Sequence, residues 1–483
     1  VLSRIHGDAY LGMGEAKLAR DAYQKALSIQ PDDAQSQLGV ISSYVAEQNF
    51  GQARSVLDQV LAAYGDNPSV WGFAGRLNSQ LGDYQTAESN FRRALELSDA
   101  ETSGGTRVEA LAGLANSLYE QGANDAAQPY VDELLELAPN ALPSMFLAAR
   151  SAFVYEAWDL AQQYLQEILR IYPDNRRAQM LLGAVHLQSG SLEQAEMYLS
   201  SVVAAQPGNI SARQLLAETQ LQQQKGGEAN QLLRPLVSGD GADARTLQLA
   251  ARASLALENV DDAIEYLKEG VEQDPSNDEL KFQLAALLLQ AGRNAESEEV
   301  LSRIDASGSE DVAYRKDAMV VLSAMSQGKL LVALEAAKGL PVKYPESANA
   351  FVLLGIVQLR NGQTNDGAAS FQSAIALDPA NLLALQYLAG IDEAKGDLDS
   401  ASARYREILE RYPTGDWTLG VLARIALRQE NVEAAKGYFQ RALELAPDNN
   451  DYRVALARLE RREGDETEAV EILEAAPGGG GEH

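Results

Sequence analysis

The chain has 483 residues, 46% of them apolar, and carries 40 Lys and Arg against 69 Asp and Glu for a net charge of −29. That charge favours solubility and repels nucleic acid and anionic membrane, while the apolar content is ample for a buried core and argues against disorder. Cysteine is absent, which excludes structural disulfides, thiolate metal sites and a cysteine nucleophile in this stretch, and no apolar run approaches the roughly 18 residues needed to span a bilayer.

Helical periodicity runs along the chain in paired amphipathic segments, A then B. The pairs begin near residues 1, 34, 68, 108, 142, 176, 210, 244, 278, 314, 348, 382, 416 and 450, so eleven of the thirteen steps are 34 residues, one is 40 and one is 36. Pro139, Pro173, Pro207, Pro275, Pro345, Pro379, Pro413 and Pro447 mark the ends of B segments, with Gly241 in the slot between Pro207 and Pro275. A period of this size means one supersecondary unit stacked many times. The two longer steps fall at 100–106 and near 307–309, where small polar residues predict loops and therefore bends or sub-block boundaries. Residues 478–483, four glycines followed by Glu482 and His483, read as a disordered tail or linker. The chain begins at Val1 without a methionine, which leaves an upstream export signal or lipid-anchor cysteine open.

Inside each pair, segment A carries a large residue followed by a small one, as in Leu114-Ala115, Leu182-Gly183, Leu354-Gly355, Leu388-Ala389 and Leu422-Ala423. The small residue lets segment B approach and the large one fills the space beside it. Seven residues later, nine units place a glycine (Gly14, Gly82, Gly122, Gly190, Gly292, Gly328, Gly362, Gly396, Gly464), which ends helix A in a left-handed turn. Acids then open segment B, among them Asp83, Asp125, Glu193 and Asp397, and complement the helix dipole. Segment B repeats small, bulky, small at i, i+4 and i+7, as in Ala19-Tyr23-Ala26, Ala87-Phe91-Ala94, Gly367-Phe371-Ala374 and Ala435-Phe439-Ala442, all on one face. Proline stops it, and a nearby Asn caps the next helix, as in Pro173-Asp174-Asn175 and Pro447-Asp448-Asn449.

This pattern resembles the tetratricopeptide repeat (TPR) family, with its 34-residue period and its aromatic, Leu-Gly, Tyr, Ala, Phe, Ala, Pro signature. Phe351, Leu354-Gly355, Gly367, Phe371, Ala374 and Pro379 supply it in one unit; Trp71, Ala74-Gly75, Ala87, Phe91 and Ala94 in another. The resemblance covers about residues 1–477 and implies an all-α, right-handed superhelical solenoid of about 14 helix-turn-helix units, with A helices lining a concave groove and B helices outside. The units at 142–173 and 314–345 fit poorly, with Ala148-Ala149 and Val320-Val321 at the Leu-Gly site.

Nothing in the sequence reads as catalytic, and no cofactor or metal is expected. The chain has three histidines; His6 and His186 fall at slots that normally pack and stand five units apart, and His483 is in the tail. No HExxH, P-loop, GxSxG or EF-hand pattern occurs, and Gly104-Gly105 and Gly226-Gly227 read as inter-helix turns without the Lys-Ser/Thr of a phosphate cradle.

The groove is the candidate binding surface. Just past the small central residue of helix A, five units place Arg76, Arg150, Arg252, Arg424 and Arg458; seven positions earlier on that face stand Arg177, Arg245 and Arg315. These guanidinium forks suit carboxylate-bearing partners or acidic polysaccharide, or salt-bridge an acid of the neighbouring unit. Phe146, Arg150 and Phe153 share a face, with Tyr119 at the slot of Phe153 one unit earlier, a patch that reads as a binding anchor or as packing between consecutive A helices.

The expected role is a non-catalytic scaffold for a protein or peptide partner, with acidic chemistry favoured, no nucleic acid, and membrane only through an anchor outside this stretch. The long cysteine-free array, rich in Gln, Ala, Leu and Arg and poor in Lys, is also similar to bacterial envelope TPR proteins of exopolysaccharide and PEP-CTERM (exosortase) systems, implying a periplasmic, outer-membrane or extracellular setting; a cytoplasmic one stays open. Two alternatives are an end-to-end fibre of identical subunits, suggested by the apolar Val1, Leu2 and Ile5 at one end and Val470 and Leu473 at the other, and an interaction region cropped from a larger enzyme.

Overall fold

A computed structural model of the chain describes residues 1–98, 104–238 and 241–475. Among the described residues there are 28 helices, α1 (Leu2–Gly12) to α28 (Glu466–Glu474), and no strand. Odd-numbered helices are the A segments and even-numbered ones the B segments. By contact the chain forms two compact units, residues 1–242 with 252–257, and residues 243–251 with 258 onward. Within each, a helix packs on its successor and an A helix also touches the next A helix, which is the connectivity of a solenoid.

The small-and-large pattern is a knob between two floors. Phe91 on α6 (Tyr84–Leu97) is buried against Gly75 of α5 (Pro68–Gln80) and Gly113 of α7 (Gly104–Glu120); a Cβ on Gly75 would lie 2.7 Å from the Phe91 ring. Tyr23 stands over Gly7 and Gly39 in the same way, each 2.5 Å from the ring if given a Cβ, and Phe371 over Gly355 at 2.8 Å. Each bulky B residue thus serves the A helix before it and the one after it, which ties consecutive units together.

All fourteen A-to-B turns pass through one residue in the left-handed region. Nine are the expected glycines, at φ between +69° and +99°; the other five are Gln48, Glu156, Gln224, Glu258 and Glu430, at φ between +57° and +62°. The turn closes when a backbone N–H reaches back five residues, as from Asp83 to the Asn78 carbonyl at 2.9 Å and from Asn431 to Ala426 at 2.8 Å. Asn side chains cap the A helices: Asn175, Asn277 and Asn381 accept from the backbone N–H three residues on, at 3.0–3.1 Å.

Several expectations are corrected. Residues 307–309 form the expected loop, but the A helices after both long steps start early: α7 at Gly104 and α19 (Glu310–Ser326) at Glu310, four residues ahead of 108 and 314, each helix reaching 17 residues. Residues 100–103, part of the first predicted loop, lie outside the described residues, as does the 478–483 tail. The division between units falls near 242–258 instead, beside a shortened B helix, α14 (Gly226–Val237), and a left-handed Gly241 at φ +98°. Gly104-Gly105 and Gly226-Gly227 open α7 and α14 and are not turns; Gly226 is required because its Cβ would lie 2.5 Å from that of Ala256. His6 is exposed, because its neighbour Gly7 takes the buried position under Tyr23; His186 is buried as expected.

Candidate partner-binding faces

In the first unit, four successive A helices, α5, α7, α9 (Leu142–Val154) and α11 (Arg176–Gln188), line a cleft of about 330 Å³. Its floor includes Ala112, Gly113, Leu142 and Leu147; Phe146 and Pro143 form a wall, and Arg76, Glu109 and Arg177 bring charge. Arg177 lies over the Phe146 ring at 5.1 Å and has no ion pair among the described residues. Arg76 is ion-paired with Glu109 and lies 5.5 Å from the Phe73 centroid.

The structure gives three of the other six predicted arginines an internal partner. Arg150 donates to Glu120 at 2.8 Å and to Asn116 at 3.0 Å, with its guanidinium 4.9 Å over Tyr119. Arg252 donates to both oxygens of Glu218, at 2.7 and 2.8 Å. Arg315 donates to Glu279 at 2.8 Å while stacking on Phe282 at 4.2 Å, and that hydrogen bond holds the Glu279 carboxyl below its ordinary pKa. These bonds reach from one A helix to its predecessor, or in Arg76 to its successor. Arg245, Arg424 and Arg458 are exposed and make no ion pair among the described residues.

The aromatic patch separates. Phe146 faces the cleft, whereas Phe153 packs edge-on against Trp158 of α10 (Trp158–Ile171) at 5.5 Å. Tyr119 is buried, and burial pushes its hydroxyl pKa up. Phe153 and Tyr119 therefore hold helices together, and only Phe146 offers surface to a ligand.

A second cleft, of about 570 Å³, was missed from the sequence. It lies in the second unit on α21 (Ala348–Arg360), α23 (Leu382–Lys395) and α25 (Asp416–Arg428), and is lined by Leu359, Leu383, Tyr387, Gly390 and Trp417. Leu383 and Trp417 are 46% and 47% exposed. Both occupy the slot that Arg177, Arg245 and Arg315 hold in their own units, so the repeat register is the signal that marks them. Among the described residues no group of His, Asp and Glu is arranged to hold a metal ion, and no helix is long and apolar enough to cross a membrane.

These stacked hairpins with clefts on their A-helix faces define a helical repeat scaffold. Two Tetratricopeptide repeat sequence profiles match, one at residues 10–77, 155–210 and 254–319, the other at 74–141, 112–175, 321–382, 352–416 and 421–482. The chain belongs to the tetratricopeptide repeat family, whose fold serves protein–protein interaction. A profile for Anaphase-promoting complex, cyclosome, subunit 3 also matches residues 188–270. Among individual relatives, mouse Tetratricopeptide repeat protein 21A is 28% identical over 145 residues, which is 30% of this chain and 11% of the relative. Mouse Protein O-mannosyl-transferase TMTC1 is 30% identical over 145 residues, 30% of this chain and 15% of the relative. A crystal structure of the APC/C hetero-tetramer Cut9-Hcn1 aligns over 95% of this chain and 96% of its own at 14% identity, with a TM-score of 0.44.

Proposed function

We propose that the chain is a non-catalytic scaffold that captures a segment of a protein partner on its A-helix faces, with the first-unit cleft as one seat. The observation that carries this reading is the Phe146–Arg177 pair on a largely apolar cleft whose other charges, Arg76 and Glu109, are paired with each other: a ring and an ion-pair-free guanidinium side by side suit an apolar side chain next to a carboxylate. Arg177→Glu, at a site with no internal ion pair to break, is expected to abolish capture of an acidic partner and to leave helix content unchanged. Undiminished capture would remove the cleft from the reading.

A bacterial envelope or extracellular setting, linked to export or cell-surface assembly, fits the acid excess and a basic complement in which only eleven of 40 residues are lysine. Fractionation of cells making the full open reading frame tests it; a purely cytoplasmic product would refute it.

A further inference from the structure

We infer that the A-helix cleft of the second unit is a separate docking site for a protein segment that presents a large apolar side chain followed closely by carboxylates. This extends the scaffold reading to a second seat, and rests on it only for the premise that A-helix faces take protein.

The first observation is Gly390. A glycine inside a helix costs about 1 kcal/mol relative to alanine; Gly75 and Gly113 make room for Phe91, Gly183 for Leu199 and Gly355 for Phe371, whereas a Cβ on the helical Gly12, Gly51, Gly72, Gly339, Gly390 or Gly437 would meet nothing within 4 Å. Of these, Gly390 is the one that lines the second cleft. A Cβ built there meets nothing within 4 Å, and the open space it would enter is the cleft itself. Leaving the helix bare at that point suits close approach by a ligand.

The second observation is the wall facing it. Trp417, nearly half exposed, stands edge-on to Tyr405 of α24 (Leu398–Arg411) at 5.9 Å. Leu383 is likewise half exposed, and Tyr387 lies flat on Phe371 at 4.8 Å. A rigid indole beside a bare stretch of helix is a seat for one large apolar side chain.

The third observation is charge. Arg424 is two turns along α25 from Trp417 on the same face. Burial and the Glu393 charge push the hydroxyl pKa of Tyr405, in the cleft lining, up, and Arg424 opposes them; burial and Asp416 do the same to Tyr452 of α27 (Asn450–Glu463), again against Arg424. Two of the acids nearby are engaged: Glu393 accepts from Arg428 at 2.8 Å, and Asp416 from the Tyr452 hydroxyl at 3.3 Å. Arg424 itself, and Arg458 at the same slot of the next unit, are exposed without an ion pair among the described residues. In a chain of net charge −29 these cations complement an acidic segment running on from the apolar anchor.

The test uses the full chain and fluorescein-labelled dodecapeptides in which one Phe is followed, after one to four residues, by two Asp. Matched peptides carry Ser in place of Phe, or Asn in place of both Asp. Anisotropy gives the affinity; Trp417 emission, read in a Trp71→Phe, Trp158→Phe chain, reports occupancy of the cleft. The proposal expects binding with a shift of Trp417 emission, loss of about tenfold or more on Arg424→Gln or with the Asn peptides, and a comparable loss with the Ser peptides. Gly390→Leu, which fills the cleft from a position with room for a side chain, should abolish binding at unchanged helix content. Equal binding by the Asn peptides, or binding indifferent to Gly390→Leu, would overturn it. So would a Trp417 shift with the polyuronate alginate and with no peptide. Binding lost on Phe146→Ala but kept in Gly390→Leu would sink the second seat and leave the first; no binding to either seat would sink both.

Discussion

A bulky side chain in the middle of a B helix needs space in two A helices at once, and glycine or alanine at those two points supplies it. Gly355→Leu should therefore destabilise the chain by about 1–3 kcal/mol through overpacking against Phe371, while Gly390→Ala, with open space above it, should stabilise it by about 1 kcal/mol; urea titration of the two variants checks the opposite signs. The turns permit a related comparison. Glu156 holds at φ +57° a conformation that nine other units of this chain reach with glycine, so Glu156→Gly should gain up to about 1 kcal/mol by the same measurement. His186 is buried with Nδ1 unbonded and its ring stacked on Tyr198 at 5.7 Å, and burial lowers its pKa. The unfolded chain then takes up the proton first: stability is full above the ordinary histidine pKa of about 6.5 and falls as pH drops from there toward the folded-state value. His186→Phe should flatten that part of the pH–stability profile.

At the scale of the helix, the period, the turn glycines and the proline stops were all legible, because each reports a backbone requirement that one residue type satisfies. What the sequence concealed was of another kind. Gln48, Glu156, Gln224, Glu258 and Glu430 adopt the same turn without its signal residue, since the flanking helices impose it. Gly104-Gly105 and Glu310-Asp311 read as loop and yet form the exposed first turns of α7 and α19. Arginine register was readable but arginine availability was not: Arg150 and Arg252 are engaged by Glu120 and Glu218, acids 30 and 34 residues away, whereas Arg177 and Arg424 make no ion pair among the described residues. These inter-helix pairs are partly exposed, so Arg252→Ala should cost no more than about 1 kcal/mol, which thermal unfolding would register as a small shift. A large loss would mean that the pairs, and not the Phe and Tyr knobs, hold neighbouring hairpins together.

For the whole molecule, stability in such a stack is a sum of neighbour terms, so damage stays local. Phe371→Ala should cost about 3–5 kcal/mol, and hydrogen exchange should quicken in α21–α23 while α5–α9 keep their protection. The net charge of −29 adds a diffuse self-repulsion that salt screens, so melting temperature should rise as sodium chloride goes from low to moderate concentration. The proposed function rests on the A-helix faces. The measurement that tests it most directly is site-specific photo-crosslinking of the full chain to the anchored acidic peptides, with the crosslinker at Phe146 and Trp417 on A helices and at Leu160 and Met197, exposed on B helices. Adducts confined to Phe146 and Trp417 are the predicted result; adducts at Leu160 or Met197 of equal yield would contradict it.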